Sequence, residues 1–170
     1  MSEPHNSAGR IRADLLIVAI SAALSVALDR LTKTLALSYL EMHQSRPFLP
    51  GLLNFHLTAN TGAAFSLGHD NKPLVLAVAS TITVALIAWT VSRILRATAS
   101  KPLERIGAGV LIGGALGNLL DRLIKGSVTD FLDFAFINFP IFNVADMMID
   151  LGIILICISS FYEPKSKSNG

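Results

Sequence analysis

Four apolar runs, each at or near the length that crosses a bilayer as a helix, decide most of what this chain can fold into. Leu15 to Leu28 carries no charge, and its helical pattern continues past Asp29, Arg30 and Lys33 towards Tyr39. Pro73 to Ser92 gives 20 uncharged residues, about the number a hydrocarbon core requires, with a proline suited to a first helical turn. Ile106 to Leu120 gives 15 more, about 22 Å at 1.5 Å per residue. A core is roughly 30 Å thick, so Asp121 and Arg122 belong at or just inside the interface. A fourth run, Phe142 to Tyr162, carries Asp146 and Asp150 in its first half. Hydrophobic residues are 52% of the chain and charged residues 15%, with mean hydropathy +0.57. That balance excludes an ordinary soluble fold. It predicts one membrane-embedded domain over 1–170, with spans near 14–38, 73–93, 104–121 and 142–162.

Basic residues orient the spans. Arg10 and Arg12 precede the first; Arg93, Arg96, Lys101 and Arg105 separate the second and third; Lys165 and Lys167 follow the fourth. The positive-inside rule then makes both termini and the middle loop cytoplasmic, and segments 40–72 and 122–141 exoplasmic. The first run also has leader-like features, with small residues at Ser25-Val26-Ala27. Cleavage there would leave an odd number of spans, so a retained helix is expected. A net charge of +2 without basic–aromatic interleaving argues against a nucleic-acid partner. Cys157 is the only cysteine, set in an apolar run, and is expected as a buried inert thiol. Four scattered histidines lack ligand spacing, and neither a metal nor another cofactor is expected.

Residues 52–60 alternate: Leu53, Phe55, Leu57 and Ala59 against Asn54, His56, Thr58 and Asn60. Period two predicts a half-buried strand at the membrane surface. It leads into Asn60-Thr61-Gly62-Ala63-Ala64-Phe65, where Asn and Gly permit a turn; an extended substrate added beside the strand explains Asn60 and Gly62 equally. Gly109, Gly113 and Gly117 recur every four residues, a small-residue stripe that lets helices approach closely in lipid. Asp29 and Lys33 are four apart, a favourable pair. Asn118, Asp121 and Arg122 share a helix face, and Arg122 is expected to pair with Asp121 or Asp29 at the membrane edge.

Asp130 and Asp146 differ from these. No Lys or Arg is placed by local sequence to neutralise them; Lys125 is five positions from Asp130. A carboxylate beside hydrocarbon is costly and marks a functional site by default. Two that approach share a proton. One then draws a proton from water while the other protonates a scissile carbonyl, as in aspartic proteases; a proton relay is the open alternative. Asn143, one turn before Asp146, is placed to hydrogen-bond a substrate or a carboxylate. Asp133 reads as a solvated loop charge, and Asp150 as a deeper carboxylate on the face of Asp146.

Taken together, Asp29-Arg30-Leu31-Thr32-Lys33, Asn60 to Phe65, Gly113 to Arg122, Val128-Thr129-Asp130-Phe131 and Phe142-Asn143-Val144-Ala145-Asp146 resemble the bacterial lipoprotein signal peptidases, signal peptidase II. The resemblance covers nearly the whole chain. It implies an all-α membrane protein, four transmembrane helices in a bundle with a small exoplasmic β-sheet and a mobile surface helix or loop. It implies an aspartic endopeptidase of the inner membrane that cuts prolipoproteins on the amino side of a diacylglyceryl-modified cysteine and binds globomycin. Asp130 and Asp146 match the family's catalytic pair. Asp29, Lys33, Asn60, Gly62, Asn118, Asp121, Arg122 and Asn143 match its site-lining or site-supporting positions. Arg30 departs from a common Gln, and Asp133 and Asp150 add carboxylates. The expected partners are lipidated prolipoproteins and membrane lipids, and a monomer is expected. The competing reading is a small proton- or cation-coupled carrier, which requires its aspartates near mid-bilayer.

Overall fold

The computed structural model describes residues 5–62 and 71–161. Of the sequence features above, Ala63, Ala64, Phe65, Lys165 and Lys167 lie outside these residues. Four long helices account for most of the rest: α1 (His5–Tyr39), α2 (Lys72–Arg96), α3 (Pro102–Lys125) and α4 (Val144–Phe161). All four are long and apolar enough to cross a membrane. Between α1 and α2 run β1 (Ser45–Leu49) and β2 (Leu53–Asn60); β3 (Val128–Phe134) precedes α4. The three strands form one antiparallel sheet in the order β1-β2-β3.

Local chemistry sets the helix ends. Asn71 caps α2, its Oδ1 accepting the Leu74 N–H at 3.1 Å, with Pro73 in the first turn. α3 begins at Pro102 and stops at Gly126, whose φ of 72° is left-handed and whose N–H returns to the Arg122 carbonyl at 3.0 Å.

α3 is the central helix. In its apolar window 61% of residues are buried, against 11% in α1 and 17% in both α2 and α4. The outer helices therefore turn most of their apolar surface to lipid, and α3 can carry glycines and polar groups that lipid would reject. A Cβ on Gly109 would stand 2.6 Å from the Val18 carbonyl oxygen, and one on Gly113 2.6 Å from that of Ala22. The stripe thus seats α3 against the backbone of α1. On another face, Gly107 and Gly152 let α3 and α4 approach: a Cβ on Gly152 would lie 2.7 Å from the Gly107 oxygen.

Two expectations fail here. Cys157 is exposed on α4 and not buried, because most of the exposed residues of that helix are themselves apolar and burial cannot be inferred from hydrophobic neighbours. Asp133 is in a strand, β3, with His56 Nδ1 3.4 Å from its Oδ2.

Candidate active site

β2 and β3 pair through Asn60↔Val128 and Thr58↔Asp130 at one end, and Phe55↔Leu132 and Leu53↔Phe134 at the other. Between Phe55 and Thr58 β2 advances three residues while β3 advances two, a bulge. Strict alternation puts Leu53 and Asn60 on opposite faces; the bulge shifts the phase, and both line one cleft. It thereby turns the Asn60 amide towards Asp130, whose Oδ2 accepts from Asn60 Nδ2 at 2.9 Å.

The chain returns beside β3 before entering α4. The N–H groups of Phe131 and Leu132 both donate to the Phe142 carbonyl, at 3.0 and 2.9 Å, and the Phe142 N–H donates to Leu132 at 2.9 Å. This clamp sets Asn143 beside Asp130, and Asn143 Nδ2 donates to Asp130 Oδ1 at 2.6 Å. Asp130 is 2% exposed. Burial pushes its carboxyl from an ordinary 3.8 up to about 6, against the two amide hydrogen bonds that favour the anion; the neighbouring charge of Asp146 adds to the rise.

Asn143 is also the N-cap of α4. Its Oδ1 accepts the Asp146 N–H at 3.1 Å, and Asp146 Oδ2 accepts the Asn143 N–H at 3.0 Å. This is a reciprocal capping box with Asp in the Glu position. Asp146 Oδ1 accepts from Asn118 Nδ2 at 2.7 Å. Both aspartates are hence held by amide donors and face one cleft.

Behind them lies a buried ionic layer. Lys33, 1% exposed, has its Nζ 3.0 Å from Asp29 Oδ2, 3.2 Å from Asp121 Oδ2 and 2.9 Å from Asn118 Oδ1. Asp29 Oδ1 accepts the Ala145 N–H at 3.2 Å, satisfying another free donor of the α4 first turn. Asp121 takes Arg30, Lys33 and Lys125, and its Oδ2 accepts the Thr129 N–H at 3.1 Å, which fixes the strand one residue before Asp130.

Arg122 departs from expectation. It pairs with neither Asp121 nor Asp29, since their oxygens point into the Lys33 layer. Its Nη1 donates to the Asn118 carbonyl at 3.3 Å and its Nη2 to the Gly62 carbonyl at 3.2 Å. The charges it feels most are Asp130 and then Asp146. Its Nε is buried without a hydrogen-bond partner among the described residues. Gly62 is itself held by its N–H to Asn60 Oδ1 at 3.0 Å, an Asx turn.

The cleft these groups face measures about 480 Å³. Asn60, Asn118, Arg122, Asp130, Asp146 and Asp150 supply its polar wall; Leu53, Leu132, Phe134, Phe139, Phe142 and Met147 supply an apolar one. Asp150 thus shares the cleft with Asp146. Among the described residues no three His, Cys, Asp or Glu side chains converge as a metal site requires.

Sequence reasoning missed the roles of Arg30, Lys125 and Thr129. Lys125 was legible, being four residues from Asp121 on one helix. Arg30 and the Thr129 N–H reach Asp121 only through tertiary placement and left no local signal.

A family model described as signal peptidase (SPase) II matches residues 21–162. The chain is 36% identical over 146 residues to a lipoprotein signal peptidase of Brevibacillus brevis, covering 85% of this chain and 94% of that one. It is 39% identical over 143 residues to a lipoprotein signal peptidase of Photorhabdus laumondii, covering 83% and 85%. A solved structure described as a bacterial membrane enzyme, determined in meso at 2.3 Å, superposes with a TM-score of 0.72 at 28% identity over 93% of both chains.

Proposed function

The chain belongs to the signal peptidase II family, a family of bacterial membrane proteases that process prolipoproteins, and from that premise we propose that it is an aspartic endopeptidase working through Asp130 and Asp146. The substrate is a prolipoprotein, cut on the amino side of its diacylglyceryl-modified cysteine. The observation that carries this reading is Asn143, whose side-chain amide holds Asp130 while its backbone N–H holds Asp146.

In the proposed mechanism Asp130 enters protonated, the state favoured by its burial, and Asp146 enters as the carboxylate. The anion at Asp146 is suited by its place in the first turn of α4, where the helix dipole favours negative charge. Asp146 removes a proton from water as it attacks the scissile carbonyl carbon, and Asp130 gives its proton to the carbonyl oxygen. Collapse of the tetrahedral intermediate breaks the C–N bond. The amine leaves with a proton from Asp146, and Asp130 recovers one from the intermediate's hydroxyl. Arg122, beside both carboxylates, offsets their charge; Asn60, Asn118 and Asn143 orient them. Asp29, Lys33, Asp121 and the Gly62 turn hold that arrangement.

The apolar wall of the cleft suits a signal-peptide segment, and the open lipid-facing flanks suit the diacylglyceryl chains. The protein would act as a monomer in the inner membrane, with both termini cytoplasmic and the dyad near the exoplasmic face; globomycin-type cyclic peptides would compete for the cleft. The dyad's place at one end of the bundle disfavours a carrier, which needs its carboxylates near mid-bilayer. The test is cleavage of a purified diacylglyceryl prolipopeptide, with unlipidated peptide as control. Asp130→Asn and Asp146→Asn should insert normally and leave the substrate intact. Retained cleavage by either variant removes that residue from the mechanism.

A further inference from the structure

At the far end of the bundle, the last turns of α2 and the first turn of α3 enclose a second cavity of about 430 Å³. Lys101, at the start of α3, lies 20 residues from Asp121, about 30 Å along a helix, so this cavity is at the bilayer face opposite the dyad. Its walls are cationic: Arg93, Arg96, Lys101 and Arg105, with Glu104 the one carboxylate. Glu104 is occupied by Arg93 at 3.2 Å and Arg105 at 3.1 Å. Arg105, 2% exposed, also reaches Asp14 Oδ2 at 3.4 Å and is pinned in place. Arg96 and Lys101 make no ion pair among the described residues.

Span orientation requires positive charge in this loop, but it does not require that charge to wall a concavity. Trp89, the chain's only tryptophan, also lines the cavity, one turn before Arg93 on α2 and 44% exposed. Tryptophan favours headgroup depth. Leu95 and Ile106, adjacent in sequence to Arg96 and Arg105, are 58% and 40% exposed, apolar surface suited to acyl chains. We propose that this cavity seats the headgroup phosphate of an anionic phospholipid from the leaflet opposite the dyad. Arg96 and Lys101 pair with the phosphate, and Trp89 packs beside the glycerol. Basic pockets between membrane helices recognise such headgroups by charge and shape together.

Trp89 is a built-in probe. The full chain in neutral detergent micelles is titrated with phosphatidylglycerol brominated in its acyl chains, and with brominated phosphatidylcholine, while tryptophan quenching is followed. The anionic lipid should quench at a several-fold lower mole fraction. Arg96→Gln and Lys101→Gln should each weaken it about fivefold, the weight of one basic residue near an anionic surface. Neither variant strands an ionic partner, and monodispersity on size exclusion checks their folding. Arg12→Gln removes a charge from the same end of the bundle but outside the cavity, and should change nothing. Equal quenching by both lipids, or equal loss in Arg12→Gln, overturns the site. Reversal of quenching by inorganic phosphate overturns the lipid in favour of a soluble anion. The readout involves no cleavage, so it stands or falls apart from the peptidase reading.

Discussion

Asn143 donates to Asp130 Oδ1 at 2.6 Å from the same side chain that caps α4 through the Asp146 N–H. Helix initiation and the spacing of two acidic groups therefore depend on one residue. A residue able to do both must carry its donor and its acceptor on separate atoms of a short side chain, which among the good N-caps only Asn offers.

The two roles separate by substitution. Asn143→Ala should lose about 1 kcal/mol of stability with the cap and about 100-fold in kcat with the bridge. Asn143→Ser keeps a capping oxygen but cannot reach Asp130 as a donor of the same length. It should restore most of the stability and little of the activity. Recovery of both together in Asn143→Ser would show that capping alone matters.

Asp130 gives a pH signature. Its folded value of about 6 lies above the ordinary 3.8, so between those values the folded chain holds a proton that the unfolded chain has released. Stability contributed by this group is then greatest at low pH, falls as pH rises from 3.8 through about 6, and is level above. The difference amounts to on the order of 3 kcal/mol. Denaturation of Asp130→Asn in micelles across this range should lack that slope.

In the proposed mechanism the same group sets the alkaline limb of kcat/KM, which reports the acid of the free enzyme, because the protonated form is lost above about 6. Asn60 donates to the carboxylate and favours it. Asn60→Ala should therefore move the limb to higher pH while lowering the maximal rate. An unmoved limb would assign it to another group.

Lys33 neutralises two buried carboxylates. Lys33→Met should cost about 3–5 kcal/mol, the range for orphaning a buried charge. Adding Asp29→Asn to that variant should recover part of the loss, since one fewer anion is left unpaired. A strictly additive double mutant, measured by denaturation, would show that the contact carries no coupling.

Gly117 sits where a Cβ would fall 2.5 Å from Asp29 Oδ2. Gly117→Ala should destabilise by about 1–3 kcal/mol through overpacking, and should also lower activity by displacing the carboxylate that caps α4. Gly126→Ala, where φ is 72° and a Cβ meets nothing within 4 Å, is the comparison. It should cost about 1 kcal/mol with activity retained.

The four helices were legible because hydropathy and length act residue by residue, and a chain of this composition has no other way to satisfy its backbone in lipid. Contacts within one helix were legible too: the spacing of Asp29 and Lys33 and the stripe of Gly109, Gly113 and Gly117 follow from 3.6 residues per turn. Period two likewise announced β2. The phase of that strand was not legible, because the bulge between Phe55 and Thr58 arises from pairing with β3, which lies some 70 residues away in sequence. Without it Asn60 would turn its amide from Asp130. The partners of Arg122, the reach of Arg30 to Asp121 and the exposure of Cys157 share that origin. Sequence alone determined which groups are expensive to place in a membrane and roughly where along each helix they fall. Tertiary structure decided which of them meet, since a hydrogen bond tolerates only a few tenths of an ångström and that precision comes from packing elements together.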